Sequence, residues 1–272
     1  MKRMTVAAVV VACVVTGDLD ARADRWEPVR GDRSTVRDAA SVIGHRGNPA
    51  DVYTENTVAS MRSAAAAGAT AVEFDVRVTA DDRFVVMHDV GLGRTTTCEG
   101  LVRAKTLDWI LQRCRGQRRR EPVPALAEVL DWSRSAGVDL LVELKQAPGW
   151  DIDRMRDVIA AIERRDLGAH AEFLSFDPNL LELVERVAPA MRTQLIISGS
   201  RDPDFAISRF DGVYVDPAEA TPDLVSRFHA LGMTVYGRNS NNPADWARYW
   251  SAGIDGFLTD RPDAADRVLR TL

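Results

Sequence analysis

Charged side chains recur inside two apolar runs of the chain, at a spacing that places them on one face of a strand. Two carboxylates, Glu73 and Asp75, lie two residues apart in the first run. Glu143 and Lys145 have the same spacing in the second run. Because side chains alternate between the faces of a strand, each pair shares one face. Like charges placed so close together need a cation nearby.

The types of these side chains indicate which cation would bind. Three carboxylates, with no cysteine or histidine at metal-ligand spacing, favour a hard ion with oxygen ligands. We therefore predict Ca²⁺ or Mg²⁺ as the cofactor, held by Glu73, Asp75 and Glu143. The alternative is a set of interior salt bridges, in which three acids would face Lys145 and leave the charge unbalanced.

Two of the four histidines occupy comparable positions at the ends of apolar runs. His45 lies in Gly44-His45-Arg46-Gly47, and His88 lies in Met87-His88-Asp89. Histidine titrates near neutral pH, so two of them beside a metal suit paired general acid and base catalysis. Arg46 and Lys145 would supply the positive charge that an anionic phosphoryl group needs. The remaining histidines, His170 and His229, are interpreted as structural or surface residues.

The elements that position these residues follow a repeating pattern. Short β-branched or apolar runs alternate with amphipathic segments, which is typical of βα units around a parallel sheet. The predicted strands are 41–45, 70–76, 138–144, 171–176, 192–197, 212–216, 233–238 and 254–259. The predicted helices are 56–67, 124–136, 152–165, 178–187, 202–209, 221–231, 243–251 and 262–270. Eight such units predict an α/β fold, a (β/α)8 TIM barrel over residues 41–272, with its active site at the C-terminal ends of the strands.

One part of the chain departs from this repeat. Residues 84–87 form a ninth strand-like run, which we interpret as a hairpin partner of the second strand. The irregular, arginine-rich stretch 89–121 follows and is too long for an ordinary connection. The sequence thus predicts a small insertion after the second strand, at about residues 77–121, either packed over the barrel mouth or serving as a flexible lid.

Composition and charge exclude several classes of protein. The 272 residues are 46% hydrophobic, enough for a full core, and carry a net charge of −5, which disfavours nucleic acid as a partner. The longest apolar run, residues 6–15, is too short to span a membrane, where about 20 residues are needed. We therefore expect a small-molecule substrate and no transmembrane segment.

The N-terminus predicts export. Lys2 and Arg3 precede the apolar run, and Ala21-Arg22-Ala23 follows it, in the order of a secretory signal peptide covering residues 1–23. The run also resembles a lipoprotein cleavage box ending at Cys13, so a lipid anchor is an alternative to release. Residues 24–40 are charged, show no sustained period and are interpreted as a leader segment.

Export makes the remaining cysteines informative. If Cys13 is removed or lipidated, Cys98 and Cys114 are one even pair in an oxidising compartment. We predict a disulfide between them, and two free thiols are the alternative.

The order and spacing of several motifs resemble those of the glycerophosphodiester phosphodiesterase family. The resemblance covers residues 41–272 and is most specific in its early part. The motifs are Gly44-His45-Arg46-Gly47, Glu55-Asn56-Thr57, Glu73-Phe74-Asp75-Val76, Val85-Val86-Met87-His88-Asp89, Val142-Glu143-Leu144-Lys145, Ser175-Phe176-Asp177 and Asp255-Gly256-Phe257-Leu258-Thr259-Asp260-Arg261-Pro262.

The resemblance implies roles for particular residues. It makes His45 and His88 the acid–base pair, and Glu73, Asp75 and Glu143 the ligands of one divalent metal. Arg46 and Lys145 would bind the phosphate, with Glu55 as a supporting acid. The sequence departs from the family at Thr54, where proline is usual, and at Tyr236, which stands where the family commonly has a supporting tryptophan on the seventh strand.

The family activity implied is metal-dependent hydrolysis of a glycerophosphodiester to sn-glycerol 3-phosphate and an alcohol. One alternative is a lipid phosphodiesterase on the same barrel, of the lysophospholipase D or sphingomyelinase D type. The other is a secreted binding protein that keeps the barrel without turnover. The resemblance does not indicate which metal is bound, which alcohol moiety is preferred or what the oligomeric state is. It also does not indicate which histidine is the acid and which is the base.

Overall fold

A closed barrel of eight parallel strands forms the centre of the molecule. The computed structural model describes residues 40–50, 52–197 and 202–272. The barrel strands are β1 (Ser41–Gly44), β2 (Ala71–Val78), β4 (Asp139–Leu144), β5 (Ala171–Ser175), β6 (Arg192–Ile196), β7 (Gly212–Val215), β8 (Thr234–Gly237) and β9 (Gly256–Thr259). β1 pairs with both β2 and β9, which closes the barrel. The predicted TIM barrel is confirmed.

All of the described α-helices except the second, which lies in the insertion, cover the outside of this barrel, and their ends follow capping chemistry. They are α1 (Val58–Ala66), α2 (Leu107–Arg113), α3 (Leu126–Ala136), α4 (Ile152–Glu163), α5 (Pro178–Val187), α6 (Pro222–Ala230), α7 (Pro243–Ala252) and α8 (Pro262–Leu269). The side chains of Thr57, Asp151 and Thr221 accept hydrogen bonds from the first turns of α1, α4 and α6. Helices α3 and α7 end at Gly137 and Gly253, both in the left-handed conformation.

The two faces of the strands meet two different environments. Outward-pointing Val72, Phe74 and Val76 of β2 join the large apolar core between strands and helices. Inward-pointing side chains such as Leu141 and Leu174 form a smaller apolar cluster inside the barrel. The two-residue period of a strand therefore directs the acids of β2 and β4 into the barrel, above this inner cluster.

The predicted hairpin and insertion are also present. β3 (Phe84–Val86) pairs antiparallel with β2, with Val76 opposite Val86. The rest of the insertion contains a short 3₁₀ helix, Val102–Ala104, and α2. Its buried side chains, including Leu92 and Ile110, form an apolar cluster separate from the main core. A disulfide joins Cys98 to Cys114, whose Cα atoms are 5.3 Å apart. The insertion is therefore packed and cross-linked.

The prediction of a helix over residues 202–209 was wrong. The structure has a single 3₁₀ turn, Pro203–Ala206, at this place. Asp202 caps the turn, but Ile207 is extended and Ser208 has a φ of 62°, so the helix cannot continue. β6 is thus followed by a tight turn in the described part of the connection.

Several predictions concern residues outside the described part of the chain. The signal peptide 1–23, its Cys13 and the leader up to residue 39 all lie there. Among the described helices, none combines the length and the apolar character needed to cross a membrane.

Candidate active site

Three buried carboxylates meet inside the C-terminal end of the barrel. Asp75 on β2 lies opposite Glu143 on the neighbouring β4, and Glu73 precedes Asp75 on the same face. Each offers one oxygen, and these oxygens lie within 4.8 Å of one another. The structure therefore brings together all three predicted metal ligands.

The electrostatics of this triad fit a divalent cation. Burial, together with the neighbouring charges of Asp75 and Glu143, raises the pKa of Glu73 well above its ordinary value. Burial and Asp75 raise the pKa of Glu143 to about 7. Glu73 Oε1 and Asp75 Oδ1 are buried without a hydrogen-bond partner. Buried carboxylate oxygens that accept no hydrogen bond are the kind of ligand that Ca²⁺ and Mg²⁺ take.

Asp75 behaves differently from its two neighbours. Burial would raise its pKa, but the charges of Arg46 and Lys145 outweigh burial and lower it. Arg46 Nε lies 3.3 Å from Asp75 Oδ2, and Lys145 Nζ lies 3.4 Å from Asp75 Oδ1. Asn56 also donates to Asp75 Oδ2 at 2.6 Å and accepts from the Asp75 backbone N–H at 3.1 Å. Asp75 is thus held as a fixed carboxylate anion.

The turn after β1 aims Arg46 at the acids. Arg46 has a φ of 53°, and its backbone N–H donates to Glu73 Oε2 at 2.9 Å. Its guanidinium donates to Glu55 Oε1 at 2.9 Å. Gly47 follows with a φ of 90°, and a Cβ there would lie 2.5 Å from the backbone carbon of Ser60. Glycine is therefore required for this close turn.

Lys145 completes the positive side of the site. Its ammonium donates to Glu143 Oε1 at 2.6 Å and lies 5.8 Å from the centre of the Phe176 ring. Arg46 and Lys145 both form ion pairs with the acids, whereas the salt-bridge alternative drawn from the sequence counted Lys145 alone. These ion pairs still leave Glu73 with a raised pKa, so the salt bridges alone do not balance the cluster.

A carboxylate orients the imidazole of His45. His45 follows β1, and its Nδ1 lies 2.6 Å from Asp260 Oδ1, just after β9. Burial would raise the pKa of Asp260, but the hydrogen bond and charge of His45, together with Asn241 and Arg46, outweigh burial and lower it. The ionised Asp260 can only accept, so His45 Nδ1 carries the proton and Nε2 remains available for chemistry.

His88 has a similar arrangement after β3. Its Nδ1 lies 2.6 Å from Asp89 Oδ1. Hydrogen bonding, from Arg94 first, lowers the pKa of Asp89 to about 2, so this carboxylate is an acceptor as well. Burial lowers the pKa of His88, while the nearby charge of Asp75 opposes that effect. His88 is therefore predominantly neutral at neutral pH, with Nε2 unprotonated.

Tyr236 does not join this cluster, contrary to the role the sequence suggested for it. It stacks on Tyr214 inside the barrel, with ring centres 5.0 Å apart. It lines a cavity with Ser41, Thr70 and Asp139, residues at or before the beginnings of strands and thus at the opposite end of the barrel. A tyrosine in this position cannot contact a substrate at the C-terminal mouth.

The other two histidines also lie away from the triad. His170 precedes β5 and pairs with Asp139 at 2.9 Å. His229 lies on α6 and pairs with Asp255 at 3.0 Å. The structure thus supports their interpretation as structural or surface residues.

Sequence reasoning missed several residues that hold the predicted ones in place. Asn56, Asp89 and Asp260 lie inside motifs that carried the family resemblance, but no role was given to them. Arg94 carried no signal, because it lies in an irregular stretch with many other arginines. Asp260 is 215 positions from His45, and only closure of the barrel brings the two together.

Comparison with known proteins agrees with this geometry. Residues 45–264 match the glycerophosphoryl diester phosphodiesterase family. A glycerophosphodiester phosphodiesterase of Caldanaerobacter subterraneus subsp. tengcongensis is 29% identical over 241 residues, covering 84% of this chain and 97% of that protein.

Solved structures share the fold. A predicted glycerophosphoryl diester phosphodiesterase of Silicibacter pomeroyi has a TM-score of 0.77 and 28% identity, covering 86% of this chain and 94% of the other. An Oleispira antarctica phosphodiesterase, solved with its product sn-glycerol-3-phosphate, has a TM-score of 0.73 and 24% identity, covering 85% of this chain and 97% of the other. The chain therefore belongs to the glycerophosphoryl diester phosphodiesterase family and is an enzyme of that class.

Proposed function

We propose that this enzyme hydrolyses glycerophosphodiesters to sn-glycerol 3-phosphate and an alcohol, with one divalent cation and a histidine pair. The observation that carries the proposal is the buried triad of Glu73, Asp75 and Glu143, in the same barrel mouth as two carboxylate-oriented histidines. The product bound to the Oleispira antarctica phosphodiesterase is sn-glycerol-3-phosphate, which supports this choice of substrate class.

The three acids would hold the cation, which we propose to be Ca²⁺ or Mg²⁺. When bound, it would supply positive charge for the phosphate oxygens in the transition state. Arg46 and Lys145 contribute further positive charge from the protein itself. Both lie against the triad, so a phosphodiester placed there would meet two cationic side chains as its own charge grows.

The histidines would move the protons. One imidazole Nε2 takes a proton from the attacking water as the new oxygen–phosphorus bond forms. The other, protonated at Nε2, gives its proton to the alcohol oxygen as the bond from phosphorus to that oxygen breaks. The lowered pKa of His88 favours its neutral form, and we propose His88 as the base and His45 as the acid.

Each histidine would keep its orientation through the reaction. Asp260 and Asp89 accept from Nδ1 of His45 and His88, and an imidazolium formed during turnover would remain paired with a carboxylate. This arrangement stabilises the charged form at the moment it is needed.

We also propose that the enzyme is exported. The basic, apolar and small-residue order of residues 1–23 is the basis of this proposal. The Cys98–Cys114 disulfide supports it, because such bonds persist mainly in oxidising compartments. N-terminal sequencing of the mature protein tests it: a start near residue 24 indicates release, a lipidated Cys13 indicates anchoring, and an intact Met1 contradicts export.

A substrate panel tests the proposed activity. We expect release of sn-glycerol 3-phosphate from glycerophosphodiesters with several alcohol groups. Preferential cleavage of lysophospholipids or sphingomyelin would instead indicate a lipid phosphodiesterase. No turnover of any of these substrates with either metal would indicate a binding protein.

A further inference from the structure

Arg94, in the insertion, contacts two acids that belong to different sides of the active site. Its Nη1 and Nη2 donate to Glu55 Oε2 and Oε1 at 2.9 and 2.6 Å. Its Nη2 also donates to Asp89 Oδ1 at 3.1 Å, and its Nε donates to Asp89 Oδ2. All three nitrogen atoms of the guanidinium therefore donate hydrogen bonds to these two carboxylates.

These contacts extend an ordered chain of alternating charge across the site. Arg46 donates to Glu55, Glu55 accepts from Arg94, Arg94 donates to Asp89, and Asp89 accepts from His88. Each bond involves an ionised group, and such bonds are about twice as strong as neutral ones. The loop that carries Arg46 is thus connected to His88 through the insertion.

The geometry at Asp89 gives Arg94 a specific effect on the histidine. Asp89 Oδ1 accepts from both His88 Nδ1 and Arg94 Nη2, while Oδ2 accepts from Arg94 Nε. Two donors from one rigid guanidinium fix the plane of the carboxylate. Fixing that plane also fixes the direction in which Asp89 accepts the proton on His88 Nδ1.

The backbone that carries Arg94 is itself held by the insertion. Gln117 N–H donates to the carbonyl of Thr95 at 3.0 Å, and Thr97 N–H donates to the carbonyl of Arg115 at 2.9 Å. The Cys98–Cys114 disulfide closes the same pair of segments. The backbone next to Arg94 is therefore held by hydrogen bonds and a disulfide, although the Arg94 side chain itself is about half exposed.

We propose that Arg94 is a positioning residue, which holds Asp89 and, through it, the imidazole of His88 in the reactive orientation. The proposal rests on the proposed function, since it assigns Arg94 to the histidine pair of that reaction. The proposal gives the insertion a part in catalysis, because Arg94, which fixes the orientation of His88, lies outside the barrel strands.

Replacement of Arg94 by Gln tests the proposal, with Arg83→Gln as the matched control. Arg83 donates to Asp108 at 2.7 Å, an exposed ion pair within the same insertion that does not reach the site. We expect Arg94→Gln to lower kcat by about 10- to 100-fold, the size of loss commonly seen when a partner that orients a metal-binding histidine is removed. KM should change by less than about threefold, and Arg83→Gln should leave both constants unchanged. Equal kcat values for the two variants would overturn the proposal.

A double-mutant cycle separates positioning from a general structural effect. If Arg94 acts through Asp89, adding Arg94→Gln to Asp89→Asn should lower kcat by less than about twofold beyond Asp89→Asn alone. Effects that multiply in the double variant would contradict the proposal.

Nitrogen-15 NMR of labelled histidine tests the same idea without substrate. His88 should show a protonated Nδ1 and an unprotonated Nε2 in the wild type and in Arg83→Gln, and a mixture of tautomers in Arg94→Gln. An unchanged tautomer in Arg94→Gln would refute the positioning role. Full activity in His88→Ala would refute the proposed function instead, so the two failures are distinguishable.

Discussion

Replacement of Glu143 by Gln should stabilise the metal-free enzyme at alkaline pH while removing a metal ligand. Burial and Asp75 raise the pKa of Glu143 from its ordinary 4.5 to about 7. As pH rises from about 4.5, the unfolded chain loses this proton while the folded protein retains it. The free energy of unfolding therefore falls until the pH exceeds about 7, where the loss is complete. At about 1.4 kcal/mol per pH unit, the loss of unfolding free energy is on the order of 3 kcal/mol. Because glutamine does not ionise, the Glu143→Gln variant does not suffer this loss.

Thermal unfolding in excess chelator, followed by circular dichroism, measures this effect. For a chain of this size, about 3 kcal/mol corresponds to a Tm difference of roughly 6–12 °C. Glu143→Gln should therefore melt higher than the wild type at pH 8, and the two proteins should melt nearly together at pH 4.5. Equal Tm values for Glu143→Gln and the wild type at pH 8 would refute the claim that the ionised Glu143 carboxylate destabilises the fold in the absence of a cation.

Glu172 provides a matched control for metal binding. Burial also raises its pKa to about 7, but it lies on β5, accepts from Gln194 at 2.9 Å and is not part of the triad. Glu172→Gln should thus be stabilised at pH 8 in chelator as well. Added Ca²⁺ or Mg²⁺ should then raise the Tm of the wild type and of Glu172→Gln, but not that of Glu143→Gln. A metal-dependent rise of equal size in all three proteins would place the cation elsewhere.

Two further predictions concern the histidines and the disulfide. His45→Ala and His88→Ala should each lower turnover by on the order of 10² or more, with metal affinity by calorimetry largely retained, while His170→Ala should do little. Near wild-type turnover in His88→Ala would contradict its role. The double change Cys98→Ser and Cys114→Ser should remove about 3 kcal/mol of loop-closure stabilisation, which chemical denaturation would report. It should also lower kcat under conditions in which the barrel remains folded, which steady-state kinetics would report. Unchanged kinetics in that variant would separate the disulfide from the site.

Much of the fold was predictable because it depends on local patterns. The two-residue period around Glu73 and Asp75 indicated which face of β2 enters the barrel, and the alternation of apolar runs with amphipathic segments indicated the repeated βα units. The prediction of a helix over residues 202–209 failed because an amphipathic pattern does not reveal that a residue such as Ser208 adopts the left-handed backbone conformation. Backbone conformation at one position overrode the pattern there.

The candidate site was predictable where single strands carry it. The triad follows from two strands and their neighbouring positions, so residue types and spacing were sufficient. The residues that hold the histidines in place depend on distant contacts, since Asp260 follows the last strand and Arg94, which holds Asp89, lies in the insertion. Tyr236 was misplaced because strand alternation says which residues face inward but not at which end of the barrel they lie.

The central claim is metal-dependent release of sn-glycerol 3-phosphate at the triad. The most direct measurement is quantitation of that product from sn-glycero-3-phosphocholine by phosphorus-31 NMR, with metal-stripped enzyme before and after addition of Ca²⁺ or Mg²⁺. We expect no product in chelator, restored turnover with one of the two ions, and no restoration in Glu143→Gln. Full turnover by the stripped enzyme in excess chelator would contradict the account.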